Sequence, residues 1–296
     1  MRPASPGAGI LLIAVLSLVE IGLALAIVWA VTGWVPGISG DIHRIAFVPR
    51  TVPPIAAGAV PRITIDDADS RVIVEPSSDG RVHVTDRTWF YGGVWASGKI
   101  AQLQVRRTAD GVTIFRPSEG GAHWFWLGFS SFDRAVEVDV PPHAVLSIAH
   151  SSGAVIDSID GPIDVISDDG RIEASHLRSD RVNLSTGDGR IMLTDVAARN
   201  LTARTDDGRI VVEDLGTQRG GTYDLATRDG SISLGFAGSP NATVAASTQD
   251  GSIRLDGRRL ADDDAPVEPI RLGNGAARIR VATDDGSIRI ETNGVL

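Results

Sequence analysis

The 296-residue sequence predicts an all-β protein: a parallel β-solenoid preceded by one transmembrane α-helix. Three observations support this fold class. One turn sequence recurs with a period near 20 residues, the runs between turns alternate apolar and polar residues, and one long apolar segment lies near the start. A period near 20 is typical of solenoids, in which each coil buries its apolar side chains only by packing on its neighbours.

The apolar segment at residues 9–34 exceeds the roughly 20 residues that span a bilayer core. We therefore predict a short tail and a retained single-pass helix in residues 1–34, with a cleaved signal peptide as the alternative. The flanking basic residues are nearly balanced and do not orient the helix, but the very short tail favours a C-terminal domain outside the cytoplasm, at the cell membrane. Gly22, Ala26 and Ala30 recur every four residues, a spacing that would let this helix associate with another.

Residues 35–60 are rich in proline and glycine and keep no period, which predicts a stiff tether. The β-strand-repeat domain is predicted to follow as residues 61–296. Its first part, 61–140, contains alternating runs such as "RITID" and "RVIVE" and is predicted to form irregular first coils. The regular repeats are predicted in residues 141–296.

The repeated unit is an Asp-Gly turn followed two residues later by isoleucine. The turn residues are Asp169, Gly170, Asp188, Gly189, Asp207, Gly208, Asp229, Gly230, Asp250, Gly251, Asp285 and Gly286. In "VNLSTGDGRIML", Val182 and Leu184 lie on the same predicted face as Ile191 and Leu193. Four apolar side chains form no core alone, whereas coils stacked about 4.8 Å apart cover one another's apolar rows. We interpret the glycine as turning with φ > 0 and the aspartate as bonding the turn amides.

Asp-Gly between alternating strands is also a strong hairpin signal, so an antiparallel β-sandwich or meander is the alternative fold. The near-constant period and the repeated residue identities favour stacked parallel coils.

Stacked in register, the six turn aspartates form a column whose neighbouring charges, about 5 Å apart, repel by about 0.9 kcal/mol in water. Arg171, Arg190 and Arg209 lie two residues beyond the first three aspartates and are candidates to balance them, and calcium is the alternative for the last three. We predict that backbone amides satisfy these aspartates, and we predict no metal site and no cofactor.

Two insertions, "TWFYGGVW" (88–95) and "HWFWLGFSSF" (123–132), concentrate the aromatic residues of a chain that is only 5% aromatic. The candidate residues are Trp89, Phe90, Trp95, Trp124, Phe125, Trp126 and Phe129. One interpretation is a contact patch for a partner, since exposed aromatic clusters mark binding surfaces. The other is a cap laid over the open first coil. The two interpretations are compatible.

The stretch "VEVDVPPHAVLSIAHSSGAVIDSIDGPIDVISDDGRI" (136–172) and the serial Asp-Gly units to about 291 resemble a bacterial family of β-strand-repeat domains of unknown function, named for adhesins. The resemblance implies a membrane helix followed by a right-handed β-helix-like domain outside the cell. It implies a surface adhesin or an accessory protein of envelope-stress systems, and it brings no catalytic residues.

Composition excludes several other functions. A net charge of −9 argues against nucleic acid as the main partner, and the lack of cysteine excludes thiol chemistry. The sequence predicts a membrane-anchored, non-catalytic envelope protein whose solenoid contacts another envelope protein or a surface polymer. A polysaccharide-acting β-helix enzyme and a self-assembling surface filament are the alternatives.

Overall fold

The computed structural model describes residues 45–46, 50–56, 60–92, 102–117, 130–262 and 267–292. Within these ranges the regular structure is entirely β. The strands are β1 (Ile45–Ala46), β2 (Arg50–Ala56), β3 (Arg62–Asp66), β4 (Arg71–Pro76), β5 (Arg81–Gly92), β6 (Gln104–Arg107), β7 (Gly111–Phe115), β8 (Ser130–Val140), β9 (Val145–Asp157), β10 (Ile163–Thr186), β11 (Ile191–Thr205), β12 (Ile210–Gly216), β13 (Thr222–Asp229), β14 (Ile232–Phe236), β15 (Ala242–Asp250), β16 (Ser252–Leu255), β17 (Arg258–Asp262), β18 (Ile270–Leu272), β19 (Ala277–Asp285) and β20 (Ile288–Glu291).

The chain divides into two compact units. In the described part of the smaller unit, β1 pairs antiparallel with the end of β5, Ile45 opposite Phe90 and Ala46 opposite Trp89. The larger unit comprises residues 47–88, 101–119 and 133–296. It contains the repeats.

The repeats of the larger unit stack as parallel coils. Ile172 pairs with Ile191, Ile191 with Ile210, and Ile210 with Ile232, all in parallel register. The Asp-Gly dipeptides therefore do not close hairpins between successive strands, and the antiparallel alternative is wrong. The coils stack in parallel because each coil places its isoleucine directly on that of the next coil.

The coils pair through three strand segments, residues 172–175, 177–179 and 181–186 of β10 and their equivalents. We call residues 181–186 and their equivalents the first face, and residues 172–175 and theirs the second face. Val182 and Leu184 on the first face and Ile191 and Leu193 on the second are all buried, as the alternation predicts. The apolar side chains of both faces meet in one continuous core along the stack.

The stacking order at the C-terminal end differs from the chain order. β19 lies between β13 and β15, with Ile279 paired to both Tyr223 and Val244, and β20 lies between β14 and β16. The last coil in sequence is thus the penultimate coil in space. The repeats therefore do not stack in strict chain order here, although β13, β15 and β19 keep the same register.

The N-terminal end shows the same departure. β3 pairs with both β7 and β9, and β4 pairs with both β8 and β9. The coil formed by β3 and β4 comes first in sequence among the parallel coils but lies one position inside the stack.

Short antiparallel strands close the outer edges of the described stack. β6 pairs with β7 at one end, and β17 and β18 pair with β16 and β15 at the other. These strands carry arginines, and charged edge strands resist edge-to-edge pairing between molecules. The geometry therefore disfavours filaments formed by coil-end stacking.

The segment predicted as a tether, residues 35–60, contains β2 in the structure. Val52 and Ile55 of β2 pair antiparallel with Val84 and Val82 of β5, and the register shifts between them. Pro53 and Pro54 occupy that shift, where a missing backbone N–H costs no ladder hydrogen bond. The apolar segment 9–34 lies outside the described residues.

Candidate functional site

A ladder of buried hydroxyls supports the repeated turn. Thr205 Oγ1 donates to the carbonyl oxygens of Gly187 (2.7 Å) and Gly189 (3.0 Å) of the preceding coil. Equivalent bonds link Thr186 to Gly170, Thr227 to Gly208, Thr283 to Gly230 and Thr248 to Gly286. The sequence analysis missed this ladder, although its signal is visible: a threonine or serine stands three residues before each repeat glycine from Gly170 onward.

The repeat glycines serve close approach between coils, which corrects the expectation that they turn with φ > 0. A Cβ at Gly189, Gly208 or Gly230 would overlap the carbonyl oxygen of the glycine below it. Left-handed φ values occur in this set only at Gly251 and Gly286, at +152° and +156°. The turn therefore demands glycine mainly because the backbones of stacked coils nearly touch there.

The turn aspartates align over the last three coils as expected from the repeat. Asp285 pairs in register with Asp229 on one side and Asp250 on the other. Desolvation, followed by the neighbouring carboxylates Asp250 and Asp229, raises the pKa of Asp285 above its ordinary value. Within the described ranges, no group of three or more acidic or histidine side chains has metal-binding geometry.

The arginines beside this column take other partners or none. Arg171 Nη1 lies 2.9 Å from Glu173 Oε1. Neither Arg190 nor Arg209 pairs with a turn aspartate in the described part of the chain. Their predicted role in balancing the column is therefore not a direct ion pair.

A second column of polar residues lies where the chain leaves the second face. Ser158, His176, Asp195 and Asp214 all adopt left-handed φ between +52° and +57°. His176 Nδ1 is 2.8 Å from Asp157 Oδ1 of the neighbouring coil. This hydrogen bond and the charge of Asp157 raise the pKa of His176. Desolvation of Asp157 acts upward, but the hydrogen bonds from His176, Ser175 and Ser158 outweigh it and lower the pKa of Asp157.

Asp67 and Arg116, two of the most deeply buried charged side chains among the described residues, form a network with Asp86. Arg116 Nε lies 3.1 Å from Asp67 Oδ2, and its two terminal nitrogens each lie 3.2 Å from an oxygen of Asp86. The side chains of Arg116, Asp67 and Asp86 are 5%, 2% and 13% exposed. Ser70 Oγ donates to Asp67 Oδ2 at 2.8 Å, and Thr88 Oγ1 donates to Asp86 Oδ1 at 2.7 Å.

Burial and neighbouring charges act in opposite directions on the pKa values of Asp67 and Arg116. Desolvation raises the pKa of Asp67 above its ordinary value, although Arg116 and Ser70 act in the opposite direction. Desolvation alone would lower the pKa of Arg116, but Asp86 and Asp67 outweigh it and raise that pKa. Arg116 therefore stays charged and is hydrogen-bonded to both carboxylates.

The network lies beside the points where the chain enters and leaves the aromatic insertions. Asp86 lies two residues before the first insertion and Thr88 is its first residue, while Arg116 lies seven residues before the second insertion and Arg134 two residues after it. Arg134 Nη1 pairs with Asp69 at 2.9 Å. No sequence signal singled out these residues, because Arg116 is 30 residues from Asp86 and 49 from Asp67.

Of the seven aromatic candidates, the structure describes the backbone of two. Trp89 and Phe90 lie on β5, opposite Ala46 and Ile45 of β1. Trp95, Trp124, Phe125, Trp126 and Phe129 lie outside the described residues. The choice between contact patch and cap therefore stays a prediction.

The described residues contain no helix of the length and apolarity required to cross a bilayer.

Parallel coils, a glycine–hydroxyl turn ladder and antiparallel closing strands define a stacked-coil β-repeat protein. The chain belongs to the Toastrack DUF4097 family, which it matches over residues 60–219 and 161–291. This match confirms the resemblance to the β-strand-repeat domains of unknown function. No curated protein matches the chain.

Two solved structures are similar to the chain. One is called a "putative cell adhesion protein" from Clostridium sporogenes: 7% identity, covering 82% of this chain and 99% of that one, TM-score 0.38. The other is called a "putative adhesin" from Bacteroides fragilis: 11% identity, covering 82% of this chain and 95% of that one, TM-score 0.38.

Proposed function

We propose that this chain is a membrane-anchored, non-catalytic envelope protein whose rigid solenoid serves as an adhesin-like or scaffold module. The observation that carries the proposal is the buried Asp67–Arg116–Asp86 network. It ties the strand that leads into the first aromatic insertion to the segment that leads into the second, with 3.2 Å between Arg116 and Asp86. A buried ion network is a costly way to gain stability, but it fixes geometry.

The two insertions are proposed to present their aromatic residues to another envelope protein or to a surface polymer. Trp and Tyr dominate binding hot spots because they bury large area with few rotatable bonds. If the starting points of the two insertions are held in fixed positions, the insertions would lose less conformational entropy when they bind. The family match and the names of the similar proteins support an adhesive function.

The double substitution Trp124→Ser and Trp126→Ser in the full-length protein tests this function. The expected result is loss of attachment by cells that display the protein, with little change in the unfolding temperature of the purified protein. Thr202→Ser and Ser247→Thr serve as matched surface changes on the solenoid. Unchanged attachment together with a lower unfolding temperature would assign the aromatics to a cap instead.

The membrane anchor is a separate part of the proposal, supported by the apolar segment at residues 9–34. Full-length protein should remain in membranes after alkaline extraction, and protease added outside intact cells should remove the solenoid. Release of a chain that begins after about residue 26 would show a cleaved signal instead.

The proposal also includes an accessory role in envelope-stress signalling. Loss of the protein should then alter the response of the cells to cell-wall damage.

A further inference from the structure

The outward residues of the first face form one row that runs along the solenoid axis. Arg181 pairs in register with Asn200, Asn200 with Thr222, Thr222 with Arg278, Arg278 with Thr243, and Thr243 with Arg271. We call these six residues the guanidinium–hydroxyl row. At about 4.8 Å per strand, the row is about 24 Å long.

The surroundings of the row are basic, although the chain is acidic overall. From Arg181 to β18, the outward positions of the first face carry Arg181, Arg204, Arg271, Arg278 and Arg280 against one carboxylate, Asp224, and a second carboxylate, Asp180, directly precedes Arg181 at the edge of the face. Asp224 already forms an ion pair with Arg204. The column of turn aspartates borders the opposite edge of this face, five or more residues along the strand from Arg278 and Arg280. That separation exceeds a Debye length of about 8 Å at physiological salt.

The arginines of the row are available for a ligand. The side chains of Arg181 and Arg278 are exposed and make no ion pair or hydrogen bond within the described part of the chain. Ile279 and Val281 on either side of Arg280 face the core, so Arg278 and Arg280 project from a flat sheet. Arg271 keeps one bond, from Nη2 to the Asn274 carbonyl oxygen at 3.0 Å.

We propose that the guanidinium–hydroxyl row binds a linear polysaccharide that bears carboxylate groups and lies along the solenoid axis. Guanidinium groups bind carboxylates through two parallel hydrogen bonds. Thr222 Oγ1 donates to Asn200 Oδ1, and Asn200 Nδ2 donates to the Asp180 carbonyl oxygen, so the neutral groups left for sugar hydroxyls are the second Asn200 N–H, the Thr243 hydroxyl and the remaining oxygen lone pairs. A polyphosphate would satisfy the arginines, but it offers acceptors only and cannot donate to those lone pairs, whereas sugar hydroxyls can. The inference goes beyond the proposed function, because it assigns a binding surface to solenoid residues other than the aromatic insertions.

Binding of labelled polygalacturonate to the full-length protein in non-ionic detergent tests the inference. The double variant Arg181→Gln/Arg278→Gln should bind about tenfold more weakly, because each exposed charge pair contributes up to about 1 kcal/mol. The matched control Arg190→Gln/Arg209→Gln removes the same charge from two exposed arginines that directly precede β11 and β12 and form no ion pair within the described part of the chain. It should bind within about twofold of the wild type. Both variants should unfold at the wild-type temperature.

An equal loss of polygalacturonate affinity in the two double variants would show that binding depends on net charge alone and would overturn the inference. Absence of binding by the wild type would overturn it as well. Equal or tighter binding of linear polyphosphate or of duplex DNA would also overturn it. Trp124→Ser/Trp126→Ser should bind polygalacturonate normally. If attachment depends on these tryptophans while polygalacturonate does not bind, only the polysaccharide inference fails and the proposed function stands.

Discussion

Thr283 Oγ1 donates to the carbonyl oxygen of Gly230, 3.0 Å away and 53 residues earlier in the chain. Bonds of the same ladder join coils that are adjacent in sequence, but this bond joins two coils that are not consecutive in the chain. A hydroxyl three residues before the repeat glycine therefore joins coils that are consecutive in the chain and also coils that are not.

Removing one hydroxyl of the ladder should destabilise the solenoid. Thr205→Val keeps the side-chain shape but loses the bonds to Gly187 and Gly189, and we expect a loss of about 1–2 kcal/mol in the free energy of unfolding. Thr202→Val, on the outward side of the same strand, should change it by less than about 0.5 kcal/mol. Denaturant titration measures both. Equal effects would show that the buried hydroxyl contributes nothing.

Close approach of the backbones predicts a larger cost at the repeat glycines. Gly208→Ala places a Cβ against the Gly189 carbonyl oxygen, which cannot move without separating two coils. We expect a loss of about 2–3 kcal/mol or more. Gly220→Ala is the control, because Gly220 has φ +73° and nothing within 4 Å, so only the left-handed backbone costs about 1 kcal/mol. A smaller effect at Gly208 than at Gly220 would contradict the close-approach explanation.

The buried ion network should be sensitive to loss of its cation. Arg116→Met leaves Asp67 and Asp86 buried without their cation, and we expect a loss of about 3–5 kcal/mol at neutral pH. The difference in the free energy of unfolding between the variant and the wild type should shrink as the pH falls towards 4, because protonation removes the uncompensated charges. Arg116→Lys should recover part of the loss, since an ammonium cannot bridge both carboxylates as a guanidinium does. Arg178→Met, which breaks the exposed pair with Asp195, should cost no more than about 1 kcal/mol.

The His176–Asp157 pair predicts a defined pH window. The raised pKa of His176 means that its contribution is complete below the ordinary histidine value of 6.5 and is lost as the pH rises through the higher folded value. The lowered pKa of Asp157 means that its contribution is present above 3.8 and is lost as the pH falls through the lower folded value. The pair therefore stabilises the fold most between about pH 4 and 6.5.

His176→Asn tests this window, because asparagine tolerates the left-handed φ of +52° at this position. The difference in unfolding temperature between wild type and variant should be largest near pH 5.5 and should decrease by pH 9. A difference that stays constant across this range would contradict a role for the charged histidine.

The sequence by itself determined the repeat and the alternation, and it favoured parallel coils over the antiparallel alternative, because Ile172, Ile191 and Ile210 are spaced so that each covers the next. It also contained the threonine pattern of the ladder, which is local. It did not determine the coil order, since the same turn register recurs from coil to coil and therefore does not specify which coils meet. Nor did it reveal the Asp67–Arg116–Asp86 network or the guanidinium–hydroxyl row. Those residues come together only when coils distant in sequence are stacked, and burial and charge at such contacts depend on neighbours that a linear pattern does not contain.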